Sequence, residues 1–298
     1  MNKFSAEWLA LREPADVAAR DGRAQRLAGT VAQICARGDL LRVLDLGAGT
    51  GSNLRYTLDR VTDRYERQEW LLVDHDAELL TRALAITSSW GASRGFGIGA
   101  RASAPWDLVL EREGRTCLVG VRQLDIRSVG AWEELVPAGS LVTASALLDL
   151  VSDDWLARVT SLCRKRNAAV LFALTYDGRL RCFPPEPEDG TIQDLVNRHQ
   201  RTDKGFGRAL GPEATSCAER RLAQLGYWVE REPSDWMISG HSPELQRQLV
   251  EGWVRASIEM EPAMKGTIQR WCNRRLRDLA EGDSRILVGH QDLAGWLR

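Results

Sequence analysis

Short apolar segments alternate along the chain with longer segments whose apolar residues recur every three or four positions. The apolar segments cover 42–46, 69–74, 140–145 and 168–175, and an amphipathic segment follows each of the first three. Continuous apolar strands that alternate with amphipathic helices are typical of a parallel sheet with helices on both faces. We therefore predict an α/β fold built on a doubly wound, mostly parallel sheet.

The N-terminal half contains three further segments around this predicted sheet. Residues 5–37 have a helical periodicity, with a predicted break at Pro14. Residues 91–106 are rich in Gly, Ala and Ser and are predicted to form a loop. Residues 108–125 resemble a hairpin, and its turn is predicted at Glu113 and Gly114.

The C-terminal part departs from simple alternation. Residues 177–213 are rich in Gly, Pro and charged residues, and a helix is predicted after them at 214–225. Two amphipathic helices are predicted within 243–281, between candidate strands at 227–231 and 285–290.

These two predicted helices cannot bury their apolar faces, which include Trp253 and Trp271, against each other alone. They must pack on the sheet, on residues 177–213 or on a second copy of the chain, so a homodimer is one alternative. We expect 177–213 and the N-terminal helix to cover a substrate pocket. The helical pair is then a structural extension or a dimer surface.

We predict one domain over 1–298, because no clean boundary, internal repeat or low-complexity segment interrupts the pattern. Its predicted parts are N-terminal helices at 1–40, a core sheet at 41–240 with a substrate-side insertion at 177–213, a helical insertion at 241–283 and a last strand at 284–298.

Composition and charge narrow the class of protein. The net charge is −1, and 36 of the 40 basic residues are Arg, so non-specific binding to nucleic acid or an anionic membrane is disfavoured. No apolar run reaches the roughly 18–20 residues that span a bilayer, and the N-terminus lacks the apolar core of a secretory signal. Six scattered cysteines and four distant histidines favour reduced thiols and no metal site. We expect a cytoplasmic protein.

The most informative residues are V-L-D-L-G-A-G-T-G-S-N at 43–53, where three glycines join a predicted strand to a predicted helix. Glycine lets a ligand approach the backbone and permits a positive φ. A dinucleotide fingerprint, G-x-G-x-x-G, does not match, because the third glycine comes one residue early. A phosphate-binding P-loop needs a lysine, and none is nearby.

The segment D-L-G-A-G-T-G resembles the first motif of the class I, Rossmann-like S-adenosylmethionine-dependent methyltransferases, and the resemblance covers roughly 42–175. In that family an acidic residue after the second strand binds the ribose, a residue after the third binds the adenine, and a segment after the fourth lines cofactor and substrate. Here W-L-L-V-D-H-D, Q-L-D-I and T-A-S-A-L-L-D-L (143–150) stand in those places. The family's sheet ends with an antiparallel strand.

The resemblance implies S-adenosylmethionine as the cofactor and S-adenosylhomocysteine as the product. The implied cofactor-binding residues are Asp45, Gly47, Ala48, Gly49, Asn53, Asp74, His75, Asp125, Ile126 and Ser145. One carboxylate can accept both hydrogen bonds that a ribose diol donates, and an adenine amino group also needs an acceptor. Asp45 has a second interpretation, since it could brace the glycine loop instead.

The same resemblance implies methyl transfer to an oxygen or nitrogen nucleophile, and a hydroxyl acceptor usually needs a general base. Asp149, after the fourth predicted strand, and His199, in a glycine-containing segment, are the candidate catalytic residues. Asp149 could instead cap a helix, and His199 could be a solvated residue at a helix end.

The acceptor class is inferred by elimination. No Asn/Asp-Pro-Pro-Tyr/Phe motif and no Pro-Cys follows the fourth predicted strand, which argues against enzymes that methylate nucleic acid bases. We expect a small-molecule substrate, with no nucleic acid and no membrane as partner. A protein substrate, or an inactive methyltransferase-like scaffold, are the alternatives.

Overall fold

A ten-stranded sheet runs through the computed structural model, which describes residues 4–21, 26, 27, 30, 39–61, 64–100 and 105–297. Its strands are β1 (Leu40–Leu46), β2 (Arg67–Asp74), β3 (Gly97–Ala100), β4 (Leu108–Arg112), β5 (Arg115–Gln123), β6 (Leu141–Ser145), β7 (Ala169–Phe183), β8 (Trp228–Pro233), β9 (Trp236–Ile238) and β10 (Arg285–Trp296). Their order is β3-β4-β5-β2-β1-β6-β7-β10-β8, and β9 pairs with β10.

The central strands confirm the predicted α/β, mostly parallel architecture. All four pairings along β5-β2-β1-β6-β7 are parallel, while the last strand, β10, runs antiparallel to β7 and β8. Because parallel strands end at the same edge, the residues that follow β1, β2, β5 and β6 come together there.

Helices cover both faces of this sheet. They are α1 (Ala6–Arg20), α2 (Ser52–Val61), α3 (Ala77–Ser93), α4 (Asp153–Lys165), α5 (Asp189–Gln200), α6 (Ala214–Gln224), α7 (Pro243–Met260) and α8 (Lys265–Glu281). Helices α2 and α3 contribute buried leucines to one apolar cluster, and α4 and α6 contribute to another that contains Trp132 and Trp155. Within the described ranges, every helix is too short or too polar to cross a bilayer.

The predicted break at Pro14 is wrong, because α1 continues through it from Ala6 to Arg20. A proline inside a helix costs about 3 kcal/mol, since it removes a hydrogen bond and clashes with the preceding turn. Tertiary contacts on both sides offset that cost: Glu13 pairs with Arg55 at 2.7 Å, and Arg20 pairs with Asp292 at 2.9 Å. Most of the predicted helical stretch beyond residue 21 lies outside the described residues.

The predicted loop at 91–106 is also partly wrong. Helix α3 extends to Ser93, and β3 pairs antiparallel with β4. A Cβ on Gly91 would lie 2.6 Å from Leu110 Cδ2, so this glycine serves close packing of helix on sheet. The predicted hairpin that follows is confirmed, since Glu113 and Gly114 both have positive φ, 52° and 78°, as a two-residue turn requires.

The predicted insertion 177–213 begins as a continuation of β7 and not as a loop. The strand bends at Leu174, whose φ is 52° and whose N–H donates to Asp292 Oδ1 at 2.8 Å. It then pairs with the start of β10. Helix α5 follows, and α7 and α8 pack on it and on the β7 extension in one apolar cluster that includes buried Trp253 and Trp271. The same cluster contains buried residues of β9 and β10, so the helical pair packs both on residues 177–213 and on the sheet, two of the three expected alternatives.

Candidate active site

A cleft of about 880 Å³, its open mouth included, lies at the carboxyl edge of the central strands. Ligands of open α/β sheets bind at this edge. Seven of the ten predicted cofactor-site residues line the cleft, namely Gly47, Gly49, Asp74, His75, Asp125, Ile126 and Ser145. The other three, Asp45, Ala48 and Asn53, are buried around the glycine loop and are absent from its lining.

The turn between β1 and α2 presents bare backbone to the cleft. Gly47, Gly49 and Gly51 have φ angles of 66°, 53° and 77°, a left-handed conformation that favours glycine. The N–H groups of Gly47 and Ala48 donate to Val73 O at 2.8 and 3.1 Å. These bonds fix the loop to the end of β2, so its shape is set by the sheet.

Asp74 ends β2 and joins the glycine loop to the next helix. Its Oδ2 accepts from Gly49 N–H at 2.9 Å, and its Oδ1 accepts from Asp76 N–H at 3.0 Å. His75 Nδ1 lies 3.0 Å from the same Oδ1. A carboxylate has about four acceptor sites, so Asp74 can accept further hydrogen bonds from a ligand in the cleft.

Asp125 follows β5, the strand paired with β2, and is held by Arg127. The Arg127 Nε lies 2.8 and 2.7 Å from the two carboxylate oxygens, and this guanidinium holds the pKa of Asp125 below its usual value. The carbonyl of Ile126, the residue between Asp125 and Arg127 in the chain, accepts hydrogen bonds from the indole N–H groups of Trp132 and Trp155, at 3.2 and 2.7 Å. Two buried tryptophans therefore fix the side of the cleft that Ile126 lines.

Asp45 and Asn53 belong to a buried polar network beneath the loop. Asn53 Nδ2 donates to Asp45 Oδ1 and to Thr143 Oγ1, each at 3.1 Å, and Asn53 Oδ1 accepts from Arg20 Nη1 at 3.0 Å. Burial raises the pKa of Asp45 to about 7. These contacts favour the bracing interpretation of Asp45, and they give Asn53 the same role.

Helix α1 covers the cleft. The sequence predicted that the N-terminal helix covers a pocket but did not identify which of its residues line it. Leu9 and Arg12 line the cleft together with Phe4 just before the helix. The Glu13–Arg55 pair ties α1 to the loop, because Arg55 Nη1 also donates to Thr50 O at 2.6 Å. The N-terminal helix, through Leu9 and Arg12, and the 177–213 segment, through Lys204 and Phe206, both line this cleft.

Asp149, a candidate base, sits in a short 3₁₀ turn (Leu148–Leu150) after β6. It is 6% exposed and is not itself among the residues that line the cleft, although its neighbours Leu147 and Leu150 are. Burial raises the pKa of Asp149 to about 6. Hydrogen bonds from the backbone of Asp149 and of Tyr176, and the charge on Arg12, lower the pKa and oppose part of this effect. A carboxyl group with this pKa is ionised at neutral pH and still basic enough to take a proton.

His199, the other candidate, is not among the lining residues. Its Nε2 lies 3.2 Å from Glu259 Oε2, and its Nδ1 lies 3.3 Å from the Lys204 ammonium. Burial, with the charge on Lys204, lowers the pKa of His199, so the ring is neutral at pH 7. The structure thus brings Lys204 to the cleft and places His199 behind it.

S-adenosylmethionine fits the residues that the structure assembles. Two carboxylates, Asp74 at the end of β2 and Asp125 after the adjacent β5, line the cleft together with apolar Ile126 and Leu147, which suits a ribose, an adenine amino group and an adenine ring. Asp45 Oδ2 is buried with no hydrogen-bond partner in the described part of the chain. An amino group of a bound cofactor, or a water beside it, could satisfy that oxygen.

No protein-family model matches the chain, and no curated protein does. Among solved structures, it is similar to a cyclopropane-fatty-acyl-phospholipid synthase-like protein from Lactobacillus casei, with a TM-score of 0.52 and 10% identity over 98% of this chain and 94% of that chain. It is also similar to the YcgJ protein from Bacillus subtilis, with a TM-score of 0.46 and 15% identity over 92% and 99% of the two chains.

The Lactobacillus casei comparison shows a shared fold at an identity too low to carry a substrate or a reaction from one chain to the other. The antiparallel last strand and the glycine turn at the carboxyl edge are features that the sequence predicted. The chain has the Rossmann-like fold of the class I S-adenosylmethionine-dependent methyltransferases.

Proposed function

We propose that the chain is an S-adenosylmethionine-dependent methyltransferase whose acceptor is an oxygen or nitrogen nucleophile of a small molecule. The observation that carries the proposal is the convergence of Gly47, Gly49, Asp74 and Asp125 on one cleft. The two glycines follow β1, Asp74 ends β2 and Asp125 follows β5, and together they supply open backbone and two hydrogen-bond acceptors for one nucleoside.

The cofactor, when bound, supplies an activated methyl group on a sulfonium, so the chain itself has to bind, orient and exclude water. Asp74 accepts hydrogen bonds from the ribose hydroxyls and keeps its bond to Gly49. Asp125 accepts from the adenine amino group, and its present partner Arg127 gives way because both side chains are more than 40% exposed. Orientation of the acceptor against the methyl group can contribute about 7–11 kcal/mol.

Asp149 is the general base in this proposal. It removes a proton from an acceptor hydroxyl while the oxygen attacks, or from an ammonium before its nitrogen attacks, and it becomes a neutral carboxylic acid that its buried site favours. His199 is assigned to holding the Lys204 side chain, because its ring already contacts Lys204 and Glu259.

The cover over the cleft favours a small acceptor over a protein. Phe4, Leu9, Leu150 and Phe206 line it with apolar surface from three parts of the chain, and this surface excludes water from the reacting atoms. The two carboxylates that can hold the cofactor, Asp74 and Asp125, and the ionisable Asp149 support an active enzyme over an inactive scaffold.

The test is transfer of label from S-adenosylmethionine tritiated on the methyl group to a cell extract separated into small-molecule, protein and lipid fractions. We expect label in the small-molecule fraction. We expect Asp149→Asn to lower its rate by about 100-fold, the usual contribution of a general base. The matched control is Asp194→Asn, which changes an exposed carboxylate and should leave the rate unchanged.

Label in the protein or lipid fraction alone would contradict the assigned acceptor class while keeping methyl transfer. No label in any fraction, from a preparation that binds S-adenosylhomocysteine, would favour the inactive scaffold. Equal rates for the wild type and Asp149→Asn would remove Asp149 from the mechanism.

A further inference from the structure

Residues 203–207 form a loop that is fixed by hydrogen bonds and brings Lys204 to the cleft. Asp203 Oδ1 accepts from the N–H groups of Gly205 and Gly207, at 2.6 and 3.0 Å, and both glycines have positive φ, 100° and 87°. Phe206 packs edge-on against Trp155 with ring centroids 5.6 Å apart. The loop is therefore held in one shape, and Lys204 and Phe206 both line the cleft.

The Lys204 ammonium is fixed by neutral partners. It donates to Thr202 Oγ1 at 2.9 Å and contacts His199 Nδ1 at 3.3 Å. An ammonium has three N–H donors, so these two contacts leave one for a ligand. Lys204 is half-buried, so its charge has lost part of its hydration, and this burial lowers its pKa. In the described ranges, no carboxylate lies within salt-bridge distance of it.

The other charged groups around this end of the cleft are Arg12, Glu259 and Asp149. Arg12, from α1, holds Asp16 through two nitrogens at 3.0 Å each. Glu259, from α7, contacts the neutral ring of His199 and attracts Lys204 without forming an ion pair with it. Asp149 is buried and attracts Lys204 without contacting it. A partly desolvated cation with only neutral hydrogen-bond partners is stabilised by an anion, and the cleft is where that anion can enter.

We propose that Lys204 binds an anionic group of the methyl acceptor, so that the substrate is an anionic small molecule with an apolar or aromatic body. The anionic group, a carboxylate or a phosphate, binds to the Lys204 ammonium. The apolar body packs against Phe4, Leu9 and Phe206, and the nucleophile faces Asp149. The inference rests on the proposed methyl transfer and adds the charge of the acceptor to it.

The test measures ligand binding to the complex with S-adenosylhomocysteine, so that no turnover is needed. Binding of S-adenosylhomocysteine is measured first by calorimetry, and 4-hydroxybenzoate, phenyl phosphate and the neutral 4-hydroxybenzamide are then titrated into the saturated protein. We expect at least one anion to bind about tenfold more tightly than the amide, since hydrogen bonds to charged groups are the stronger ones. The anion that binds more tightly distinguishes a carboxylate from a phosphate substrate.

Two variants and a matched control assign the effect to one side chain. Lys204→Met should reduce anion binding to the level of the amide, while Lys204→Arg, which keeps the charge, should retain the preference. Lys165→Met changes an exposed lysine on α4 and should behave as the wild type. Unchanged S-adenosylhomocysteine binding by all variants verifies that they fold.

Equal binding of anions and amide by the wild type, or an anion preference that survives Lys204→Met, would overturn the inference. Normal S-adenosylhomocysteine binding with no binding of either anion would overturn it too and leave the proposed function standing. A protein that does not bind S-adenosylhomocysteine would contradict the proposed function, and the inference would be rejected with it.

Discussion

Replacing Asp149 by Asn should make the protein more stable at high pH relative to the wild type. Asp149 is 6% exposed, and burial raises its pKa from 3.8 to about 6. Its folded-state pKa is therefore above its unfolded value. The stability associated with the neutral carboxyl group is fully present below about pH 4 and is lost as the pH rises through 6.

The size of the effect follows from that shift. Two pKa units correspond to about 3 kcal/mol of differential stability between pH values below 4 and above 6. About 1.4 kcal/mol of this accrues between pH 5 and pH 8 by the same linkage relation. An uncharged Asn does not pay the cost of an ionised buried group, so its free energy of unfolding should gain this amount relative to the wild type.

The assay is urea unfolding at pH 5, 6, 7 and 8, followed by the fluorescence of the 11 tryptophans. Asn offers fewer acceptors to the backbone N–H groups, but this loss is the same at every pH and cancels in the pH-dependent difference. The control Asp194→Asn should follow the wild type at every pH. A difference between Asp149→Asn and the wild type that does not change with pH would refute the assigned burial and pKa of this group.

Three further predictions concern the cofactor loop, the reaction and the helical pair. Gly49→Val should reduce S-adenosylhomocysteine binding by more than 100-fold in calorimetry, because Gly49 has a φ of 53° and a Cβ there would lie 3.1 Å from Leu9; a Kd within threefold of the wild type would contradict the loop assignment. With Asp149 as the base, kcat/KM for the labelled acceptor should fall tenfold for each unit of pH below about 6, and a flat profile down to pH 4.5 would count against it. Trp271→Ala should cost about 3–5 kcal/mol in urea unfolding, since Trp271 is 1% exposed, yet leave the Kd for S-adenosylhomocysteine unchanged; a large change in that Kd would show that the helical pair acts on the cofactor site.

The cofactor half of the site could be predicted from the sequence for a simple geometric reason. Gly47, Asp74 and Asp125 follow consecutive apolar segments, and the carboxyl ends of adjacent parallel strands meet at one edge. Local pattern therefore determines which residues come together. Asp45 and Asn53 belong to the same motif, but their burial depends on Arg20, which arrives from a helix 25 or more residues away in the chain.

The acceptor half could not be predicted to the same degree. Phe4, Leu9 and Arg12 reach the cleft because α1 packs over it, and that packing depends on long-range ion pairs such as Glu13 with Arg55. Pro14 predicted a break in this helix from local sequence, but tertiary contacts of α1 offset the cost of the proline. The glycines around Lys204 did indicate a loop near a ligand, yet nothing in the local pattern distinguished Lys204 from His199 as the residue that lines the cleft.

We expect the cleft to bind S-adenosylmethionine through the carboxylate of Asp74 at the end of β2. The direct measurement is a calorimetric titration of S-adenosylhomocysteine into the wild type, Asp74→Ala and the exposed-site control Asp194→Asn. We predict one site per chain, with Asp74→Ala weaker by at least about tenfold, because each lost charge-assisted hydrogen bond is worth roughly 1.5–3 kcal/mol. No binding by the wild type at about 1 mM ligand, which corresponds to about −4.1 kcal/mol, or equal affinity in all three proteins, would contradict it.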